Sequence, residues 1–397
     1  MGSNIEIFTR ELDDELRKAI LPYWINRMVD TEHGGFYGQI DGNNKIRQSA
    51  PKGSVLNARI LWTFSAAYNR FGEKEYLDMA DRAYKYCINH FINFENRGVY
   101  WLLDQKGNPL ETKNQIYALG FMIYGLSEYY LATKNKQALE HAKMLFYSIE
   151  KYSFDPDLNG YFEAFDKDWV ILEDLRLSEK DANEKKTMNT HLHILEAYTN
   201  LYRIWKDEKL RSQLRNLIEV FITKIIDRKT WHFQLFFNDE WNPRDNEISF
   251  GHDIEGSWLI QEAAEVLADK NLLAESRSIA IKMVDAVYAQ GFDQDGGLFN
   301  EQKPDGSIDT DKHWWPQAEA MVGLVNAYQD SRDPKYLGQA LHTWQFIKDK
   351  TIDKTGGEWY FRVDKSGKPY TEEDKAGMWK CPYHNGRACL EILNRLG

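Results

Sequence analysis

Cysteine is scarce in this 397-residue chain: Cys87, Cys381 and Cys389 are odd in number and include no CxxC pair. That pattern argues against a disulfide framework, leads us to expect reduced thiols in a cytoplasm, and offers no zinc site. Long apolar runs are also missing; nothing approaches the roughly 18 consecutive residues that span a bilayer. The opening "MGSNIEIFTRELDDEL" has no basic segment followed by an apolar one, so no signal peptide is expected. Positive charge is in deficit, with 50 Lys and Arg against 61 Asp and Glu and a formal charge of -11. Nucleic acid and anionic membrane surfaces favour basic patches, so neither is expected as a partner. No linker rich in Pro, Gly or Ser divides the chain, and residues 1–397 read as one domain.

What is present is apolar and aromatic. The 43% hydrophobic content is ample for a large core, which sets disorder aside. Thirteen Trp and 22 Tyr are many for an acidic chain. Aromatic rings stack well on the apolar C–H faces of sugars, so a carbohydrate ligand is suggested.

A motif recurs along the chain, a turn followed by extended aromatics. Its copies are "GGFYGQID" from Gly34, "RGVYWLLD" from Arg97, "NGYFEAFD" from Asn159, "WHFQLFF" from Trp231, "GGLFNEQ" from Gly296 and "GGEWYFRVD" from Gly356. Successive starts lie 63, 62, 72, 65 and 60 residues apart. Between them lie paired helical patterns. One of each pair is apolar nearly all round, as in "SVLNARILWTFSAAYNRF" or "GHDIEGSWLIQEAAEVL"; the other carries a charged face, as in "YLDMADRAYKYCINHF". The N-terminal "IEIFTRELDDELRKAILPYW" completes the sixth pair. Buried helices alternating with half-buried ones, six times over, predict an all-α (α/α)6 barrel with short β-hairpins between repeats. An open helical solenoid is the alternative.

If the inner helices all run one way, their starts meet at one end. Those starts carry Asn57 and Arg59; Lys113, Gln115 and Tyr117; Asn189 and His193; His252 and Glu255; Trp314, Trp315, Gln317 and Glu319; Trp379, Tyr383, His384 and Arg387. Helix N-termini favour negative charge, so a cavity there suits an intermediate that becomes anionic. Each residue also has a plainer reading. Asp253 and Glu255 are favourable in a first turn on dipole grounds alone, and His252 can cap its helix. Asn189, His193 and Glu196 share a helical face, where a buried His satisfied by its neighbour is common. His191 and His193, two apart, point in different directions and do not make a metal pair. Arg59 can belong to a structural ion pair, and Trp315 and Trp379 can be barrel plugs. Three histidines at equivalent helix starts, in a chain with only ten, weigh against coincidence.

"KTMNTHLHILEAYTNLY", "SFGHDIEGSWL", "WWPQAEAMVG" and "WKCPYHNGR" together resemble the cellobiose 2-epimerases, within the N-acylglucosamine 2-epimerase superfamily. The resemblance runs through every repeat; Phe250 stands where Tyr is common and Gly256 where Ala is usual. It implies an (α/α)6 barrel and reversible inversion at C2 of the reducing-end sugar in β-1,4-linked disaccharides such as cellobiose, lactose or mannobiose. It implies no metal and no nucleotide cofactor; a monomer or weak homodimer is expected. On matching positions, His252 and His384 are the expected acid/base pair, with His193 beside them. Arg59, Tyr117, Asn189, Glu255, Trp315, Trp379 and, less directly, Asp181 are expected to contact or support the sugar.

The chemistry suits these residue types. The sugar ring opens, the C2 hydrogen beside the aldehyde is removed to give an enediolate, and a proton returns to the opposite face. Histidine both takes and gives protons near neutral pH, and two of them serve two faces. Glu255, three after His252, is expected to orient that imidazole. Arg59 and the helix N-termini would hold the negative oxygens. Three rivals remain: an inverting glycoside hydrolase using carboxylates such as Asp253, Glu319 or Glu358, an aldose–ketose isomerase of mannose type, and a non-catalytic sugar-binding protein.

Overall fold

The computed structural model describes residues 2–244 and 246–397. Twelve helical layers close into an (α/α)6 barrel. The inner ring is α3 (Ser54–Phe71), α5 (Ile116–Thr133), α7 (Met188–Ile204), α9 (Phe250–Leu267), α11 (Trp314–Ser331) and α13 (Tyr383–Leu396). Each packs on the next, and α13 returns to α3. The outer ring is α4 (Lys74–Tyr86), α6 (Lys136–Tyr152), α8 (Glu208–Val220), α10 (Lys270–Gln290), α12 (Pro334–Phe346) and the N-terminal pair α1 (Gly2–Glu15) and α2 (Leu21–Arg27), joined through a π-helical turn.

Composition decides which ring a helix joins. In α3, thirteen of the first fourteen residues from Ser54 to Ala67 are buried, and the helix has neighbours on every side. In α4 only Tyr76, Met79, Ala80, Ala83, Tyr84 and Tyr86 are buried, the spacing of one helical stripe. The turn from inner to outer helix is equally local. Helices α5, α9 and α11 each end in one left-handed residue, Lys134, Ala268 and Arg332, followed by Asn135, Asp269 and Asp333. Those three side chains accept backbone N–H groups of the next helix, a two-residue hinge of C-cap plus N-cap.

Each copy of the aromatic motif forms a tight reversal after an outer helix. Val29 bridges Phe36, Phe154 bridges Tyr161, Ile226 bridges Phe233, Phe292 bridges Leu298 and Ile352 bridges Trp359, with Ile92 pairing Val99 as the sixth. Left-handed residues sit in these turns, including Arg97, Asn159, Trp231 and Gly296. The two residues before an inner helix then pair antiparallel with the following unit: Asn114–Gln115 with Ala164–Phe165, Lys186–Thr187 with Phe236–Phe237, Ile248–Ser249 with Glu301–Gln302. Ile40 bridges Ala376 and so ties the first unit to the last. These short pairings collar the N-terminal ends of the inner helices, where the site lies.

Polar residues in the first turns of the inner helices pin this collar. His191 Nε2 accepts the Tyr161 N–H at 2.9 Å, Asp253 Oδ1 accepts Phe233 N–H at 2.7 Å, and Gln317 Oε1 accepts Leu298 N–H at 2.7 Å. All three are the fourth residue of their helix. Asp253 is therefore a structural anchor, and its other oxygen holds His232 Nδ1 at 2.7 Å.

Candidate active site

A cavity of 530 Å³ opens at the collared end of the barrel. All ten residues singled out from the sequence line it: Arg59, Tyr117, Asp181, Asn189, His193, His252, Glu255, Trp315, Trp379 and His384. Helical repetition puts them there. Arg59, His193, Glu255 and Glu319 are each the sixth residue of their inner helix and face the barrel axis, while Tyr117, Asn189, Trp315 and His384 are second residues and ring the mouth.

Trp315 packs beside both expected acid/base residues, its ring centroid 4.7 Å from that of His252 and 5.5 Å from that of His384. Gly251 makes this possible, since a Cβ there would lie 2.5 Å from the Trp315 ring. His384 Nδ1 contacts Glu319 Oε1 at 2.7 Å, and His193 Nδ1 contacts Glu196 Oε2 at 2.9 Å. Each carboxylate holds the proton on Nδ1 and leaves Nε2 as the working nitrogen. His252 differs: its Nδ1 lies 2.7 Å from Ser249 Oγ. The expectation that Glu255 orients His252 is thus corrected. Glu255 instead accepts from Arg387 and approaches His384 Nδ1 at 3.9 Å, because the turn of α9 carries its side chain toward the axis.

Arg387 is the hub beneath these groups. Fully buried, it donates to Glu196, Glu255 and Glu319, and its guanidinium lies over the rings of Tyr383 and Trp258. Glu255, Glu319 and His384 converge closely enough to hold a metal ion, but the guanidinium already sits against both carboxylates and supplies positive charge there. Burial raises Glu255 to about 7, helped by neighbouring Glu319 and opposed by Arg387. Glu196 goes the other way: burial works upward, but Arg387 and His193 outweigh it and bring the carboxyl to about 2. Burial lowers His252 to about 3, with His193 adding to the effect, and takes His384 well below its ordinary value. Both shifts favour the neutral imidazole over the charged one.

Arg59 makes no ion pair among the described residues. Its Nη2 donates to the Tyr117 hydroxyl at 2.8 Å, and its guanidinium lies 4.1 Å from the centre of Phe121 and 4.8 Å from that of Tyr383. The structural ion pair is replaced by aromatic clamping that keeps a bare positive charge at the cavity wall. Buried atoms without a hydrogen-bond partner gather here too: Arg59 Nε, Asn189 Oδ1 and Glu255 Oε2. Such groups await a polar ligand. Trp379 lies 6.0 Å from both Trp101 and Tyr117, an aromatic wall on one side of the mouth.

The carboxylates proposed for a hydrolase are all engaged. Asp253 pins the collar, Glu319 holds His384, Arg387 and Trp258, and Glu358 accepts from Trp24, Lys380 and Asn385. Sequence reasoning missed Ser249, His313, and the loop residues Leu177, Ser178, Glu179 and Lys180, which line the cavity or its rim. His313 directly precedes α11 and had a readable position; the loop has no periodicity to betray it.

The family profile described as N-acylglucosamine 2-epimerase (GlcNAc 2-epimerase) matches residues 35–388. Cellobiose 2-epimerase of Bacteroides fragilis is 52% identical over 389 residues, covering 98% of this chain and 99% of that protein. Cellobiose 2-epimerase of Dictyoglomus turgidum is 40% identical, covering 99% and 100%. The solved structure of cellobiose 2-epimerase from Bacillus thermoamylovorans B4167 superposes with a TM-score of 0.94 at 40% identity, covering 98% of this chain and 100% of that one.

Proposed function

This chain belongs to the N-acylglucosamine 2-epimerase family and groups there with the cellobiose 2-epimerases; from that premise we propose that it interconverts C2 epimers at the reducing end of β-1,4-linked disaccharides. Cellobiose would give glucosyl-mannose, lactose its epimer, and mannobiose the reverse. The observation that carries this reading is that two imidazoles, His252 and His384, line one sugar-sized cavity beside the same indole, Trp315.

The reaction uses residues already on the cavity wall. After the ring opens, one histidine takes the C2 proton, and the electron pair moves onto the aldehyde oxygen to give an enediolate. Arg59 stabilises the developing charge without a competing carboxylate. The other histidine delivers the proton on its Nε2 to the opposite face, His252 as the neutral Nε2–H tautomer or His384 as the imidazolium that Glu319 steadies, and the ring closes on the inverted centre. His193, held by Glu196, and Asn189 Oδ1 serve the hydroxyl groups that exchange protons during ring opening. Trp315 and Trp379 grip the sugar rings, and Asp181 reaches in from the loop. Buried and held by Arg387, Glu255 offers its free Oε2 to a sugar hydroxyl.

In the same reading, residues 1–397 form one catalytic domain acting in the cytoplasm as a monomer or weak homodimer, on a small-molecule disaccharide and without a cofactor. A ring that needs helices from both ends of the chain supports the single domain, and no helix among the described residues is long and apolar enough to cross a membrane. Proton NMR of cellobiose incubated with enzyme in deuterated water tests the reaction. The expected product is an isomeric disaccharide deuterated at C2. Free glucose would establish hydrolysis instead, and a ketose as main product would establish an isomerase.

A further inference from the structure

The three site histidines differ in what holds Nδ1. His384 and His193 face carboxylates, while His252 faces the hydroxyl of Ser249 at 2.7 Å. An ionised carboxylate only accepts, so it fixes Nδ1–H; a hydroxyl both donates and accepts. Ser249 is the residue before α9, yet its side chain makes no capping bond to the helix. Its backbone is fixed by antiparallel pairing with Glu301, which aims the hydroxyl at the imidazole.

Ser249 also stands in a second chamber. A space of 440 Å³ adjoins the active-site cavity and shares with it Asn189, His252, His313, Trp315 and loop residues including the exposed Lys180, but Ser249 lines only this second chamber. His252 thus faces both spaces. The charged and titratable groups that line the cavity with it are Arg59 of α3, Tyr117 of α5, His193 of α7, Glu255 of its own helix, His384 of α13, His313 before α11, and Glu179, Lys180 and Asp181 of the loop. Glu163, Arg176, Glu184, Glu247, Glu301, Asp309 and Arg362 line the second chamber.

We propose that Ser249 is a positioning residue that lets His252 adopt either neutral tautomer, and so act as base toward one epimer and as acid toward the other. When the hydroxyl donates to Nδ1, Nε2 carries a proton that can be given to C2. When it accepts from Nδ1–H, Nε2 is open. As Nε2 then takes the C2 proton, the Nδ1 proton passes to Ser249 Oγ and the hydroxyl proton passes to water in the second chamber; the return path reverses each transfer. His252 never holds a net charge in its half-buried site, in accord with the direction in which desolvation moves it. This inference rests on the epimerase reading above.

The experiment compares wild type with Ser249→Ala, Ser249→Thr and Ser249→Asp on cellobiose and on glucosyl-mannose. Turnover by the wild type tests the reading of the function; the ratios to wild type test Ser249. Ser249→Ala is expected to lower kcat roughly 10- to 100-fold in both directions with KM within about two-fold and the melting temperature unchanged. Ser249→Thr keeps the hydroxyl and restores most of the rate. Ser249→Asp fixes Nδ1–H as Glu319 does for His384, and moves the acid limb of kcat/KM to higher pH in the direction that uses His252 as base. A Ser249→Ala rate within two-fold of wild type, a Thr variant as impaired as the Ala variant, or an Asp variant with unmoved pH limbs would overturn the proposal.

Discussion

His384 and Glu319 meet through a 2.7 Å contact between Nδ1 and Oε1, although they lie 65 residues apart on α13 and α11. The carboxylate fixes the tautomer that turns Nε2 to the cavity and steadies the imidazolium that forms when it takes a proton. Replacing Glu319 with Gln keeps the shape and removes that discrimination. We expect kcat on cellobiose to fall roughly 10²- to 10⁴-fold with little change in KM. An unchanged kcat would separate Glu319 from the chemistry.

Arg387 tests the packing beneath the site. It is the common partner of Glu196, Glu255 and Glu319, all buried. Arg387→Met leaves three carboxylates without their cation, and removing one partner of a buried ion pair typically costs about 3–5 kcal/mol. Denaturant unfolding should show a loss of that order, whereas a variant as stable as wild type would show the network to be dispensable.

His191 should confer acid sensitivity on the fold. Its Nε2 accepts from the Tyr161 N–H, so protonating it breaks a collar bond. Burial lowers it to about 4, against an ordinary value of 6.5. The unfolded chain therefore binds a proton that the folded chain refuses, and stability falls as pH drops from about 6.5 toward 4. Melting temperatures between pH 7.5 and 4.5 should fall more steeply for wild type than for His191→Gln, by an amount equivalent to about 1–3 kcal/mol. Parallel curves would remove His191 from the acid response.

Trp379 sits on the aromatic wall with Trp101 and Tyr117. Its expected role is uniform grip on the sugar. Trp379→Ala should raise KM for cellobiose by about ten-fold or more while kcat changes less. A loss confined to kcat would assign it to the reacting carbon instead.

Much of this architecture was legible before any coordinates. The first inner helix runs from Ser54 to Phe71 and the last begins at Tyr383, as the apolar patterning indicates, and the six aromatic motifs each became a reversal. Helix-start residues were readable as a ring because six parallel helices repeat one geometry. Gly256, a departure from the usual Ala, is explained by packing: a Cβ there would lie 2.2 Å from the Phe233 ring. Partnerships were harder to read. His252 has a polar residue three positions away on either side, Ser249 and Glu255, and only the turn of the helix selects Ser249. Arg387 gathers carboxylates from three other helices, a relationship without any local trace. The loop at Leu177–Asp181 has neither helical nor strand period, and only the family resemblance pointed to Asp181.

The central claim is that His252 and His384 serve opposite faces of one carbon. Exchange of the C2 hydrogen in deuterated water, followed by NMR for His252→Asn and His384→Asn, tests it most directly. Each variant should fail to epimerise yet still exchange C2 of one epimer, cellobiose for one variant and glucosyl-mannose for the other. Near wild-type epimerisation by either variant, or exchange of the same epimer by both, would contradict the account.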